Sequence, residues 1–157
     1  GITAIRNLSI VTVEGRGMQG VPGVAGRVFT AVARSGASIL MITQSSSEQN
    51  ICFLVRTMDT PAVVEAVEKE FELEMMRGDV DRVGRQDDVA IIAVVGPAIM
   101  GKPGIAARVF GALAERNINI ISIAQGSSEY NLSLVVSQHD VDEGVRAIHK
   151  QFALDQI

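Results

Sequence analysis

The chain has 157 residues, which is enough for one ordinary domain or two very small ones. Its net charge of −4 argues against a nucleic-acid partner, which needs a clustered positive surface, and it has no Trp and one Tyr, too few aromatic rings for a base-stacking platform. One Cys excludes an internal disulfide, the spacing of the two His does not suit zinc, and no apolar run is long enough for a membrane helix.

In chain order, the first clear element is a strand at Leu8–Glu14, which is rich in Val and Ile. A glycine-rich loop follows at Gly15–Gly23, and Pro22 suits the start of a helix because it has no N–H to leave unpaired. The helix ends near Gly36, where a left-handed cap is expected. Its apolar stripe consists of Val24, Val28, Phe29, Val32 and Ala33. Ser38–Thr43 is predicted to be the second strand.

The next segment predicts a hairpin and a second helix. A short turn at 44–50 leads into Ile51–Val55, whose alternating apolar residues are typical of a half-exposed strand paired antiparallel to the previous one. Pro61 lies at the start of the helix. The stretch 73–85 leaves room for a closing strand, and its later part has the mixed charges of a solvated linker. The core candidates here are Val64, Val67, Phe71, Met75 and Met76.

The same pattern returns 81 residues later without a gap, as from Gly15 to Gly96. The coinciding pairs include Gly20/Gly101, Pro22/Pro103, Gly23/Gly104, Arg27/Arg108, Phe29/Phe110, Gln44/Gln125, Ser47/Ser128 and Asn50/Asn131. A fixed period indicates duplicated structural units. The second copy therefore predicts strands at Val89–Val95, Asn119–Ala124 and Leu132–Val136, a helix after Pro103 and a cap at Asn117.

Each copy has the order β-α-β-β-α, and one more strand would complete a ferredoxin-like βαββαβ sandwich of the α+β class, with an antiparallel sheet and helices on one face. The first copy has room for that strand, whereas the second has five residues after Phe152. We therefore expect the extended segment Ile2–Arg6 to complete the second unit. The first unit, 7–86, would then be inserted into the second, which combines 87–157 with 1–6.

The sequence resembles the tandem ACT regulatory region of aspartokinases, especially the threonine-sensitive type that is fused to homoserine dehydrogenase. The motifs that carry this resemblance are GMQGVPGVAGRVFTAVA (17–33), ILMITQSSSE (39–48), GKPGIAARVFGALA (101–114) and INIISIAQGSSE (118–129). The resemblance implies ACT units that pair across a homodimer and bind an end-product amino acid. It also implies feedback inhibition of the kinase domain of an aspartate kinase, in cis and outside this chain. Because no signal-peptide layout follows the opening glycine, a cytoplasmic location is expected. The opening glycine fits a fragment of a longer chain.

By the same resemblance, the effector lies between the glycine turn of one unit and the second strand of the other. The residues of the first site would be Met18, Gln19, Gly20, Val21, Gly23, Val24 and Gln44, facing Asn119 and Ile120. The second site would use Met100, Gly101, Lys102, Gly104, Ile105 and Gln125, facing Ser38 and Ile39. The chemistry agrees, because a helix start attracts a carboxylate and glycine lets the backbone approach closely. The second site has Lys102 where the first has Val21, so the two sites are predicted to bind the effector unequally.

Threonine is the favoured effector and lysine is the alternative. Lysine-sensitive relatives place a carboxylate early in the second strand, but the matching positions here are Leu40 and Ile121. A buried ammonium facing these side chains would be unpaired, which is costly. The amides of Gln44 and Gln125 can donate to, or accept from, a hydroxyl, although they could also simply cap a turn.

Other interpretations of the same residues remain open. The segment Gly15–Gly20 matches the dinucleotide pattern G-x-G-x-x-G, but the hairpin after it breaks the βαβ order that such a fold needs. The glycines could also be plain turn residues. No convergent acid, base and nucleophile appears, so the fragment is not expected to be an enzyme, and neither a metal nor a cofactor is expected. The competing function is a dimerisation module that binds no ligand.

Overall fold

The computed structural model describes residues 1–18, 21–43, 50–96, 104–125 and 131–153. The strands in these ranges are β1 (Ile2–Glu14), β2 (Met41–Thr43), β3 (Asn50–Arg56), β4 (Arg82–Val95), β5 (Ser122–Gln125) and β6 (Asn131–Ser137). The helices are α1 (Val24–Arg34), α2 (Thr60–Glu70), α3 (Glu72–Arg77), α4 (Ile105–Glu115) and α5 (Val141–Ala153). Short 3-10 turns lie at Arg16–Met18, Thr57–Asp59 and Gln138–Asp140.

The chain divides into two compact units. The first unit is Leu8–Asp87, and the second unit combines Gly1–Asn7 with Asp88–Ile157. The two long strands therefore change unit part-way along their length. Asn7 and Asp88 mark these points with φ angles of 61° and 58°, a left-handed conformation that Asn and Asp tolerate better than most residues.

In the first unit the strand order is β2–β3–β1–β4. Phe53 of β3 is paired antiparallel with Val11 of β1 on one side and with Ile42 of β2 on the other. β4 adjoins β1, where the Asp81 N–H donates to the Glu14 carbonyl over 2.7 Å. The helices α1 and α2 pack against each other, and their apolar stripes close the core over Val11, Phe53 and neighbouring strand residues.

In the second unit the order is β5–β6–β4–β1. Leu134 of β6 is paired antiparallel with Ile92 of β4 and with Ile123 of β5. Gly1 and Val95 exchange both of their main-chain hydrogen bonds, which is typical of an antiparallel pair, and Ile2 packs against the core beneath α4 and α5. The segment before Leu8 thus belongs to the same compact unit as the second repeat.

These units confirm the predicted α+β class, with antiparallel sheets and helices packed on them. The left-handed caps are also present, with φ angles of 86° at Gly36 and 56° at Asn117. The helix expected after Pro22 begins at Val24, because Gly23 takes the position that precedes the first helical residue.

The closing strand of the first unit begins at Arg82, within the stretch 73–85 where room for it was predicted. Two details of that stretch were wrong. Glu72–Arg77, a run of good helix formers, is the helix α3, which was not predicted. Met76 is 81% exposed, whereas Met75 packs against the core.

The second strand of each repeat is also shorter than the sequence suggests. β2 starts at Met41, opposite Leu54, and not at Ser38. Continuing this register would place Ser38 opposite Thr57, where β3 has already passed into a 3-10 turn and offers no ladder partner. Likewise, β5 is Ser122–Gln125, whereas the predicted strand begins at Asn119.

Candidate functional site

The glycine-rich segment of the first unit forms a 3-10 turn at Arg16–Met18. The Met18 N–H donates to the Gly15 carbonyl over 3.2 Å, and the Val21 N–H donates to the Met18 carbonyl over 3.2 Å. The Met18 side chain is 7% exposed and belongs to the core of the unit, whereas Val21 is 52% exposed. The buried Met18 side chain therefore anchors the turn, whereas Val21 faces solvent.

The start of α1 has a backbone arrangement that favours an anion. Gly23 precedes the helix with φ 86° and ψ −2°, and its carbonyl accepts the first intrahelical bond from the Arg27 N–H at 3.0 Å. The N–H groups of Val24 and Ala25 have no partner within the helix, because intrahelical bonds begin four residues after the cap. These donors and the helix dipole favour a carboxylate, and no acidic side chain in the first turn competes for them.

The start of α4 in the second unit repeats this geometry. Gly104 has φ 87° and ψ 0°, its carbonyl accepts from the Arg108 N–H at 2.9 Å, and the first turn again has no acidic side chain. Ile105 is 5% exposed and corresponds to Val24, which is 8% exposed. The helix starts of the two predicted sites therefore have the same backbone conformation at their caps.

The strand-side residues of the predicted sites lie just before β2 and β5. Ser38 is exposed and Ile39 packs against the core of the first unit, while Asn119 is exposed and Ile120 packs against the core of the second. The positions predicted to select the effector follow directly, and the Leu40 N–H donates to the Leu54 carbonyl over 2.9 Å. Leu40 and Ile121 are half-buried aliphatic side chains, with no charge to offer a ligand.

Several predicted site residues lie outside the described residues: Gln19, Gly20, Gln44, Met100, Gly101 and Lys102. Gln125 is the last residue of β5, opposite Leu132. Each predicted site joins a turn of one unit with strand residues of the other, and that pairing stays a prediction.

Comparison with known proteins identifies the fold family. The family model described as the ACT domain matches residues 11–71 and again residues 92–152, one match within each compact unit.

The chain belongs to the ACT domain family.

Several relatives of this tandem ACT chain are named as bifunctional enzymes. It is 41% identical over 156 residues to the chloroplastic bifunctional aspartokinase/homoserine dehydrogenase of Daucus carota, covering 99% of this chain and 17% of that protein. It is 44% identical over 150 residues to the bifunctional aspartokinase/homoserine dehydrogenase of Haemophilus influenzae, covering 96% of this chain and 18% of that protein. The chain thus spans less than a fifth of the length of the curated relatives it matches.

A solved structure agrees over the whole tandem. The ligand-free regulatory subunit of aspartate kinase from Thermus thermophilus is 25% identical, with a TM-score of 0.78 and 97% of each chain covered. The resemblance to aspartokinase regulatory regions is therefore confirmed in sequence and in fold.

Both ACT units share an arginine whose role the sequence alone did not reveal. Arg27, on the first turns of α1, donates to the Glu70 carboxylate at 2.9 Å and to the Glu74 carboxylate at 3.1 Å, and its guanidinium lies 4.4 Å from the ring centre of Phe71. The hydrogen bond with Glu70 is the largest cause that raises the pKa of Arg27 above its usual value. The 81-residue repeat does contain the signal, because both the arginine and the phenylalanine coincide in it.

In the second ACT unit, Arg108 donates to the Gln151 carbonyl at 3.2 Å, and its guanidinium lies 5.4 Å from the ring centre of Phe152. In each unit, therefore, the helix that follows the glycine turn is linked to the end of the next long helix by an arginine stacked on a phenylalanine. This contact fixes the direction of the helix whose first turn presents the free N–H groups.

Two other kinds of site find no support in the described parts of the chain. There, no group of three or more His, Cys, Asp or Glu side chains is arranged to hold a metal ion. No helix within those ranges is long and apolar enough to cross a membrane.

Proposed function

We propose that this chain is the regulatory region of an aspartokinase, that it binds an end-product amino acid, and that threonine is the effector, with lysine second. The observation that carries the proposal is the duplicated helix start, with Gly23 and Gly104 in the same left-handed conformation ahead of N–H groups that have no partner within the helix. Two such starts in an ACT tandem provide two places for the carboxylate of a free amino acid.

The parent protein is proposed to be an aspartate kinase that phosphorylates L-aspartate with ATP, fused to a homoserine dehydrogenase. The names and lengths of the relatives from carrot and Haemophilus support this proposal. The kinase domain would act in cis, and the fragment itself would perform no catalysis. A cytoplasmic location is proposed as well, although the plant relatives are chloroplastic.

For the ACT units we propose the boundaries 7–86 and 87–157 with 1–6, and the compact units of the structure, which divide at Asn7 and Asp87, support them. Homodimerisation through the ACT units is supported by the sheet edges. β2 and β5 end the strand orders of their sheets, and their central side chains, Ile42 and Ile123, are 55% and 44% exposed. Apolar side chains on open edges are suited to pairing with another strand.

The choice of threonine rests on Leu40 and Ile121. Neither side chain could pair with the ammonium group of a lysine side chain, and an unpaired charge in a closed site is costly. The hydroxyl of threonine would instead be bound by the amide of Gln44 or Gln125.

We propose that regulation is a shift between two arrangements of the protein. Threonine would bind the less active arrangement more tightly and so raise its population at the expense of the active one. A coupling of about 1–3 kcal/mol between the effector site and the kinase site would be ordinary for an allosteric enzyme.

The test is isothermal titration calorimetry of the chain with L-threonine, L-lysine and L-methionine, with D-threonine as the matched control ligand. Threonine at 100 times its Kd should also raise the unfolding free energy by about 2.7 kcal/mol, which thermal melting detects. We expect a heat of binding and a higher unfolding free energy with L-threonine, and neither with the other three ligands. Preference for lysine would reverse the choice of effector, and no response to any of the amino acids would favour the ligand-free dimerisation module.

A variant tests the amide. Gln44→Ala should weaken threonine binding about tenfold, the equivalent of one lost hydrogen bond of about 1.4 kcal/mol. Gln86→Ala, at an exposed position of β4, is the control and should bind threonine as the unmodified chain does. Equal affinity for the two variants would remove Gln44 from the proposed site.

A further inference from the structure

The glycine turn of the first unit lies directly against another loop of the same unit. The Gly17 N–H donates to the carbonyl of Asp79 over 3.0 Å. Asp79 follows α3, whose C-cap residue is Gly78 with φ 82°. The N–H groups of Asp79 and Val80 both donate to the Glu74 carbonyl, at 2.9 and 3.2 Å. The main chain at Asp79 is thus itself held by the end of a helix, and it forms a fixed support for the turn.

The approach is so close that only glycine fits. A Cβ atom added to Gly15 would stand 2.7 Å from the Cα of Val80 and even nearer to the Asp79 carbonyl oxygen. A Cβ atom added to Gly17 would stand 2.6 Å from the Cβ of Asp79 and 2.7 Å from its Cα. These neighbours include main-chain atoms, which cannot rotate away, so a side chain at either glycine would push the two loops apart.

A continuous path of contacts joins this support to the start of α1. Gly17 is bonded to Asp79, Met18 is bonded to Gly15, and Val21 is bonded to Met18. Met18 also inserts its side chain into the core. The position of the Asp79 main chain therefore sets where Val21 lies, two residues before the helix cap.

The second repeat differs at this point. In the sequence, Ala98 occupies the position that corresponds to Gly17, so the second repeat does not keep glycine there. Gly96 corresponds to Gly15, but a Cβ atom added to it would meet only the nitrogen of Gly1 within 4 Å, at 3.7 Å. Glycine at this position is explained by its φ of 152° and not by a neighbouring loop. Among the described residues, the crowded support is thus a feature of the first unit.

We propose that the main chain at Asp79 is a positioning element for the effector site of the first ACT unit. It holds the Gly15–Met18 turn in place before ligand arrives, so that the N–H groups at the start of α1 are already arranged for a carboxylate. Pre-arrangement of this kind increases affinity because less order has to be gained on binding. This inference rests on the proposed function, and it makes the two sites unequal, with the first more dependent on the loop after α3.

The test compares Gly17→Ala with Gly111→Ala in the full chain. Gly111 lies within α4, and a Cβ atom there would meet nothing within 4 Å, so this is the same substitution without the crowding. By calorimetry with L-threonine, Gly17→Ala should raise Kd at least tenfold for one site, while Gly111→Ala stays within twofold of the unmodified chain. Circular dichroism and melting without threonine show whether each variant is folded.

The outcomes separate the two proposals. If the unmodified chain does not bind threonine, the proposed function and this inference both fail. If it binds, but folded Gly17→Ala binds with unchanged affinity at every site, only this inference fails. A merely structural role predicts a lower melting temperature without selective loss of one site, and that result also overturns the inference.

A second measurement does not depend on the variant folding. Amide hydrogen exchange of the unmodified chain should show the Gly17 N–H protected without threonine, and at least tenfold more protected when threonine is saturating. Linkage requires this increase if the bond to Asp79 and the ligand favour the same arrangement. An unprotected Gly17 N–H, or protection that threonine does not change, would overturn the inference.

Discussion

Replacing Arg27 with alanine should lower the unfolding free energy of the first unit by about 2 kcal/mol. Arg27 connects α1 with the junction of α2 and α3 through several contacts at once. Its guanidinium bonds the Glu70 side chain and the Glu70 carbonyl, both at 2.9 Å, reaches Glu74 at 3.1 Å and lies over Phe71. The substitution removes all of these and introduces no strain, since alanine is an excellent helix former.

The magnitude follows from the exposure of the partners. The side chains of Arg27, Glu70 and Glu74 are 41%, 28% and 23% exposed, so each ion pair is partly screened by water and contributes about 0.5 kcal/mol. The stacking on Phe71 adds about 0.5 kcal/mol, and the bond to the Glu70 carbonyl adds about 0.5–1 kcal/mol. For a chain of this size the total corresponds to a fall in melting temperature of about 4–8 °C.

Urea denaturation followed by circular dichroism measures this loss, and a double-mutant cycle divides it. The cycle compares Arg27→Ala, Glu74→Gln and the combined variant. The coupling energy between Arg27 and Glu74 should be about 0.5 kcal/mol and should become smaller in 1 M salt. Arg34→Ala is the matched control, because Arg34 is an exposed arginine on the same helix without an ion pair to any described residue. A loss for Arg27→Ala no larger than that of Arg34→Ala would refute the reasoning.

Three further variants test other parts of the fold. Phe53→Ala should lower the unfolding free energy by about 3–5 kcal/mol, because the side chain is fully buried and packs edge-on against Phe29, with 6.1 Å between the ring centres. A urea midpoint close to that of the unmodified chain would contradict this. Asp88→Gly should raise it by up to about 1 kcal/mol by relieving the left-handed φ of 58°, and a decrease would show that Asp88 makes a compensating contact. Asp87→Asn should destabilise the protein near pH 7, because the hydrogen bond from Ser9 is the main cause that lowers the pKa of Asp87 below its usual 3.8. The carboxylate stabilises the fold above about pH 4, and this stabilisation is lost as the pH falls through the folded-state pKa, so melting curves of the two proteins should converge in acid.

Much of each ACT unit follows from local patterns in the sequence. The stripe that begins at Val24 and the caps at Gly36 and Asn117 are determined by neighbouring residues, so their helices appear where expected. The 81-residue repeat adds a strong constraint, because every inference about one copy is checked in the other.

Contacts between distant segments are harder to predict. β2 can extend only as far as β3 offers a pairing partner, and β3 ends where the 3-10 turn begins at Thr57. Residues 38–43 contain no pattern from which this limit could be predicted. The requirement for glycine at Gly17 comes from Asp79, more than sixty residues later in the chain. The repeat aligns Gly17 with Ala98, but the sequence alone does not show that Gly17 lies against Asp79.

The assignment of Gly1–Asn7 to the second unit has a consequence for biosynthesis. Since residues 8–87 are contiguous, the first unit can fold as soon as Asp87 has left the ribosome. The segment before Leu8 must wait longer, because Val95, which pairs with Gly1, lies in β4, and the core against which Ile2 packs includes Ile148 of α5. Early completion of the first unit would fix β1 from Leu8 onward, while the part of β1 before Leu8 still awaits its partners.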